Sequence, residues 1–258
     1  MKPWHRVRVA FATHRGRVRA THEDCVGVLD WTTARESLTA TVLEFDVTEP
    51  CMCIVADGLG GHEGGEVASR LSVRHLLAGS SSIQSAEDLA EAIRAANRHL
   101  YEAMASAPAY AGMGATIAGL LILEREILVF NVGDCRVYGV VPGPFLRLLT
   151  TDDLPERPNY DPEARTGIVG HSVTQCLGGA STFKELKPHI LCHAAAIGHR
   201  YLLCSDGVTD NLDISQMESA IGSDIQNTVT NIVRETLNFG GSDNISIIIL
   251  DINDEKDK

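Results

Sequence analysis

Apolar, β-branched runs broken by short polar stretches fill the first part of the chain. Val7 to Thr13, Cys25 to Trp31, Leu38 to Val47 and Cys51 to Ala56 are predicted as strands. The period then lengthens. Gly65 to Leu77 sets Val67, Ala68, Leu71 and Leu76 toward one side of a helix. Ser85 is placed to cap a second helix, with Glu87 and Asp88 in its first turn and Leu89, Ile93, Ala96, Leu100 and Met104 at helical spacing. Strands resume at Ala115 to Leu123, Ile127 to Val132, Arg136 to Val141 and Phe145 to Leu149, with Glu124-Arg125-Glu126 as a hairpin turn. Thr150 to Thr166 is polar, carries three prolines and has no period, so a loop or flap over about 150–173 is expected. Pro188 to His193 and Tyr201 to Cys204 read as strands, Ile214 to Ile221 and Asp224 to Phe239 as helices, and Gly240-Gly241 as the stop of the second. A last strand, Asn244 to Ile252, precedes a charged tail.

Runs of strands and paired helices, without βαβ alternation, predict an α+β fold of antiparallel sheets covered by helices. No repeat, linker or shift of composition divides the 258 residues, so one domain spanning 1–258, with its core at about 7–252, is expected. Hydrophobic residues at 44% and charged residues at 22% are globular values. The net charge of −12 argues against nucleic acid or an anionic membrane as partner. No apolar run reaches the roughly 18 residues of a membrane span. Arg6 and Arg8 interrupt the N-terminal stretch, so no cleaved leader is expected. Seven cysteines, mostly inside strand-like runs, read as reduced thiols of a cytoplasmic protein. Cys51 and Cys53 find no second pair to complete a zinc site.

The candidate chemistry lies in acids at strand ends. Glu23-Asp24, Asp57-Gly58, Asp206-Gly207 and Asp243-Asn244 each flank an apolar run, and strands of one sheet can bring such ends together. Carboxylates so gathered repel one another unless positive charge lies between them. Hard divalent cations, which prefer oxygen ligands, resolve this most economically. A metal-dependent enzyme is therefore the reading of these residues.

Six segments, taken in order, narrow it. They are Arg15 to Asp24, Val55 to His62, Gly112 to Thr116, Asn131 to Tyr138, Leu202 to Asp210 and Gly241 to Ser246. Their order and spacing over residues 10–252 resemble the metal-dependent serine/threonine protein phosphatases of type 2C, and the Asp57-Gly58 segment is close to a bacterial form of that motif. The resemblance implies a four-layer αββα sandwich, two antiparallel sheets flanked by helix pairs, with Mn²⁺ or Mg²⁺ at one end. Asp57, the carbonyl of Gly58, Asp206 and Asp243 would be direct ligands of two ions. Glu23 and Asp24 would act mainly through metal-bound water. Asp134 and Asp210 match a site for a third, more weakly held ion. Arg19 matches the residue that grips the substrate phosphate, a role suited to a guanidinium that meets phosphate oxygens through two parallel hydrogen bonds. With Asp57 and Asp206 it forms the implied catalytic set, which directs a metal-bridging hydroxide at phosphorus without a phosphoenzyme.

Three departures stand out: His22 where asparagine is usual, Leu59 after Asp57-Gly58, and Asp152-Asp153-Leu154 where the family often reads Asp-His-Ser. None removes an implied metal ligand. The expected partners are phosphorylated serine/threonine proteins, including a cognate kinase, and the expected state is a monomer. Two other readings use the same residues, a catalytically silent phosphoprotein-binding scaffold and a phosphohydrolase of small molecules. Retention of every implied ligand counts against the scaffold.

Overall fold

The computed structural model describes residues 2–60, 64–155, 172–195 and 198–253. In chain order the elements are β1 (His5–His14), β2 (Cys25–Val28), β3 (Trp31–Thr33), β4 (Thr41–Val47), β5 (Cys51–Leu59), α1 (Gly64–Gly79), α2 (Ala86–Ser106), β6 (Gly114–Ile122), β7 (Glu126–Val132), β8 (Arg136–Val141) and β9 (Phe145–Leu148). They continue with β10 (Leu177–Gly178), β11 (His189–Ala194), β12 (His199–Cys204), α3 (Asp206–Thr209), α4 (Ile214–Ala220), α5 (Ile225–Asn238) and β13 (Ile245–Asn253). One antiparallel sheet has the order β4-β1-β13-β12-β8-β9 and the other β11-β7-β6-β5-β2-β3, with β10 added beside β6.

Three apolar clusters stack through these layers. Between the sheets lie Val7, Val9 and Phe11 of β1, Cys53 and Val55 of β5, and Ile248, Leu250 and Ile252 of β13. Ile54, Ile117 and Phe130 face the other way and meet Leu76 of α1 and Leu89, Ile93 and Leu100 of α2. Ile247 and Ile249 turn to Ile225, Val229 and Ile232 of α5. The four layers of the expected αββα sandwich follow. Because both faces of the central strands are covered, β6 is buried at every position, and the isoleucine-rich β13 reads as a nearly continuous apolar run. Each fully buried large side chain of this kind contributes on the order of 2 kcal/mol.

Local chemistry sets the helix ends, with Ser85 and Gly240-Gly241 in the expected roles. Ser85 accepts from the backbone of Asp88, and Asp224 caps α5 through Asn227. Asp213 and Gln216 close a reciprocal capping box at α4. At the far end of α5 the Gly240 N–H donates to Leu237 O and the Gly241 N–H to Thr236 O, the paired bonds of a Schellman cap. Three expectations need correction. Cys25 to Trp31 is not one strand: the chain turns at Leu29-Asp30, with Leu29 at φ 58°, and returns as β3 beside β2. Leu38 to Ala40 stands outside β4, which begins at Thr41. The start of the expected flap is an anchored segment, since Thr150 and Asp153 are buried, as is the side chain of Asp152. Residues 156–171 of that flap lie outside the described residues, as does His62.

The register decides where the acids go. His14 pairs with Ile245, Cys204 with both Ile247 and Arg136, Cys25 with Ala56, and Asp57 with Thr116. Positions 24, 57, 134, 206 and 243 therefore all fall at or just beyond strand termini on one end of the sandwich.

At that end a buried ion pair fastens β8 to the segment after β9. Nε and Nη2 of Arg136 both donate to Asp152, with Nη2 at 2.6 Å from Oδ2, and Nη1 reaches the Tyr138 hydroxyl at 3.2 Å. Both charged side chains are nearly inaccessible, at 2% and 3% exposure. Removing one partner of such a pair leaves the other charge buried, so Asp152→Asn is expected to cost about 3–5 kcal/mol of stability, read from urea unfolding. A loss below about 1 kcal/mol, as found for exposed pairs, would show that the contact is incidental.

Candidate active site

A cavity of about 300 Å³ opens where these strand ends meet, lined by Arg19, Thr21, Glu23, Asp57, Gly58, Leu59, Gly60, Asp206, Asp243 and Asn244. Six of the residues singled out from the sequence thus share one wall: Arg19, Glu23, Asp57, Gly58, Asp206 and Asp243. Asp24 stands behind it, buried, where its Oδ2 accepts from the Ser205 hydroxyl at 2.8 Å. Asp134 is buried beside the cluster and its charge acts on Asp57. Asp210 caps the short α3, its N–H donating to Asp206 O at 2.7 Å, so one helical turn separates the two acids as expected.

Two glycines permit the close approach. A Cβ on Gly58 would overlap the carbonyl oxygen of Gly65, and one on Gly207 would overlap that of Asn244. The turns after Asp57 and Asp206 are thereby pressed against the neighbouring backbone, and each aspartate is fixed at the cavity edge.

Asn244 is the framework residue that sequence reasoning left without a role. Its Oδ1 accepts the Glu23 N–H at 2.7 Å, and its Nδ2 donates to Arg15 O at 2.9 Å and Thr21 O at 3.0 Å. One amide thus ties the segment carrying Arg19 and Glu23 to the turn carrying Asp243. Ser205 acts likewise: its hydroxyl serves Asp24 and accepts the Ser246 N–H at 3.0 Å. His22 extends the network, with Nε2 at 2.8 Å from the hydroxyl of Thr13, which in turn meets Ser246. The only sequence signal for these roles was adjacency to an acid.

Among the described residues, four carboxylates and a single guanidinium line the cavity. Burial, then the charges of Asp206, Asp24, Asp243 and Asp134, pushes the Asp57 carboxyl well above the usual range. Burial also raises Glu23 and Asp24, the latter against the opposing field of His22. Arg19 is ion-paired through Nη2 to Asp243 Oδ2, and Asp243 Oδ1 accepts the Asn244 N–H at 2.8 Å. Burial opposes the charge on Arg19, but the contact with Asp243 and the fields of Asp57 and Asp206 outweigh it and raise its pKa. Among the described residues no three His, Cys, Asp or Glu side chains close around a common point; the carboxylates border the cavity instead, with Asp243 turned to Arg19.

The residues fit divalent cations. The acidic donors are all hard oxygens, Gly58 beside Asp57 lies at the cavity wall, and Asp24 keeps an Oδ1 buried without a hydrogen-bond partner. Positive charge at this place would satisfy the orphaned oxygen and relieve the repulsion that raises Asp57.

Known proteins resemble the chain in sequence and in fold. The sequence profile of the family described as Protein phosphatase 2C matches residues 42–239. Serine/threonine protein phosphatase PstP of Mycobacterium tuberculosis is 30% identical over 254 residues, which cover 96% of this chain and 45% of PstP. The chain thus spans less than half the length of that relative. Protein phosphatase PhpP of Streptococcus pneumoniae is 29% identical over 219 residues, 79% of this chain and 87% of PhpP. The crystal structure of the Mycobacterium tuberculosis phosphatase PstP superposes with a TM-score of 0.78 at 25% identity, covering 96% of this chain and all of the other. The PstP catalytic domain in complex with two manganese ions gives 0.75 at 26% identity and covers 97% of this chain. With the sandwich, the six ordered segments and the acid-lined cavity, these matches place the chain in the protein phosphatase 2C family.

Proposed function

We propose that this chain is a metal-dependent protein serine/threonine phosphatase, one catalytic domain that hydrolyses phosphoserine and phosphothreonine. The observation that carries the reading is the cavity itself, where Asp57, Asp206 and Asp243 from distant strand ends line one small space with Arg19, which pairs directly with Asp243. Asp57, Asp206, Asp243 and the Gly58 carbonyl would hold two Mn²⁺ or Mg²⁺ ions, Glu23 and Asp24 would support them through water, and Asp134 and Asp210 would serve a third. Such ions, when bound, supply an activated water and positive charge at the transferring phosphoryl group. The protein's own part is orientation. Arg19, with half of its side chain exposed at the cavity mouth, presents guanidinium N–H groups to the phosphate oxygens. The Asn244 clamp fixes the Arg19 segment relative to the Asp243 turn, so phosphate and nucleophile are held in one frame. Leu59 lines the cavity next to Asp57-Gly58 and offers no proton, so it takes no part in protonating the leaving group.

PstP and PhpP, named as serine/threonine protein phosphatase and protein phosphatase, support phosphoproteins as substrates. A cognate kinase among these substrates, a monomeric state and a cytoplasmic setting complete the proposal. No helix of the described residues is long and apolar enough to cross a membrane.

Hydrolysis of p-nitrophenyl phosphate and of a phosphothreonine peptide should depend on Mn²⁺ and be lost in Asp206→Asn by at least about 10²-fold. Absence of activity with any divalent metal would leave the scaffold reading, and cleavage of the small ester alone would favour a small-molecule phosphohydrolase. Arg19→Ala should raise KM or lower kcat/KM by about 10-fold or more, while Mn²⁺ affinity is retained or tightened because a competitor for Asp243 is gone. Metal binding weakened as much as activity would mean that Arg19 does not grip phosphate.

The raised carboxyls carry a pH signature. A carboxyl whose folded pKa lies above its unfolded value contributes stability below the unfolded pKa, and that contribution is lost as pH rises through the folded pKa. Metal-free protein should therefore lose stability as pH rises from the ordinary carboxylate range through the raised pKa of Asp57. Mn²⁺ should restore it, with protons released on binding that calorimetry in buffers of different ionisation enthalpy would register. Asp57→Asn should raise the Tm of the metal-free protein, by about 2–4 °C for each kcal/mol of repulsion relieved. A fall in Tm would show that Asp57 is tolerated there without strain.

A further inference from the structure

Asp153 is buried against the turn that carries Asp134. The two segments bond reciprocally: the Asp153 N–H donates to Gly133 O at 3.0 Å, and the Gly133 N–H donates to Asp153 Oδ2 at 2.9 Å. The other carboxylate oxygen, Oδ1, accepts from Gln175 Nε2 and from His189 Nε2, each at 2.9 Å. The Asp153 carbonyl accepts the Thr174 N–H at 2.7 Å. His189 itself is fixed by β11, where it pairs in register with Asn131 of β7. Asn131 donates to Gly133 O at 3.1 Å and to Thr151 O at 2.7 Å, so turn, carboxylate and histidine belong to one bonded unit. That unit ends directly at Asp134, whose buried carboxylate acts on Asp57.

A carboxylate that meets three donors on three segments is a poor choice for filling space and a good one for fixing direction. Gly133 is the residue immediately before Asp134, so a bond to its N–H sets the orientation of the next side chain. We propose that Asp153, oriented by His189, is a positioning residue that holds the Gly133–Asp134 turn so that Asp134 presents its carboxylate to a weakly bound divalent ion. The proposal rests on the reading of Asp134 as a ligand. It gives Asp153 and His189 a part in the reaction although neither lines the cavity.

Mn²⁺ binding to the intact chain, measured by calorimetry, separates positioning from general support of the fold. Asp153→Ala is expected to weaken the weakest class of Mn²⁺ sites by about tenfold, the range found when groups that orient a metal ligand are removed, and to leave the tighter sites unchanged. Asp134→Ala should weaken the same class. Asp134→Ala/Asp153→Ala should bind no more weakly than Asp134→Ala alone, because a positioning residue has nothing left to act on. His189→Gln, which can still donate to Asp153, should retain most of the affinity that His189→Ala loses. Asp153→Asn serves if the alanine variant does not fold, and is expected to lose part of the same affinity. Losses that add in the double variant, or an Asp153→Ala protein with unchanged weak sites, would overturn the proposal. If Asp134→Ala leaves the weak sites intact, Asp134 holds no ion and the proposal falls, while a two-ion phosphatase still stands on the Asp57, Asp206 and Asp243 variants.

Discussion

Everything at the working end of this sandwich answers to one constraint: several carboxylates are held together, partly out of water, where they repel. Asp57 shows the strain most clearly, since burial and the surrounding acids both favour its neutral form. A cluster of this kind cannot arise from local preference. It is imposed by sheet register, which delivers positions 24, 57, 134, 206 and 243 to one end, and by glycines that let the turns after Asp57 and Asp206 pack against foreign backbone. The stability needed to hold it comes from elsewhere, from three stacked apolar layers in which the central strands are covered on both faces. Gathering the acids in this way costs stability, as grouped charges at a functional site commonly do.

Neutral and ionic hydrogen bonds then divide the work of alignment. Asn244 uses three of its four hydrogen-bonding capacities on the backbone of the Arg15–Glu23 segment, where an amide can satisfy both donors and acceptors at once. A carboxylate there could serve only donors and would add to the repulsion. On the other side of the cluster the partners are charged: Arg136 and Asp152 form a buried pair, and Asp153 collects donors from Gly133, Gln175 and His189. The segment after β9 is therefore part of the frame, whatever the residues beyond Pro155 do.

The sequence made the large features readable because they repeat. Helical stripes such as Leu89, Ile93, Ala96 and Leu100, and strand runs such as Ile245 to Ile252, carry a period that one chain displays without any neighbour. The acids were legible for a different reason: each stands beside an apolar run, so its place at a strand end follows from the run. What escaped was single-residue geometry. The turn at Leu29-Asp30 has no glycine or proline to mark it, and leucine at positive φ is a poor signal to expect. Thr150 to Pro155 looked like the start of a flap because it is polar, yet its polar groups are consumed by partners more than 10 residues away in sequence. Asn244 and Asp153 share that limitation, since their roles lie wholly in who faces them.

The contact between Arg19 and Asp243 bears on the proposed chemistry. Among the described residues Arg19 is the only arginine or lysine lining the cavity, and it rests on Asp243, one of the proposed ligands. The Nη2 N–H that serves the carboxylate cannot also serve a phosphate oxygen. Placing divalent charge at Asp243 weakens that pair and repels the guanidinium toward the cavity mouth, where half of its side chain is already exposed. Phosphate bound there, in turn, removes a competitor from Asp243. Two ligands that each relieve the other's obstruction bind with positive coupling, and the coupling is reciprocal by thermodynamic necessity. On the proposed roles, an arginine that met phosphate alone would leave metal binding nearly unchanged, whereas one that also pairs with Asp243 would link the two events.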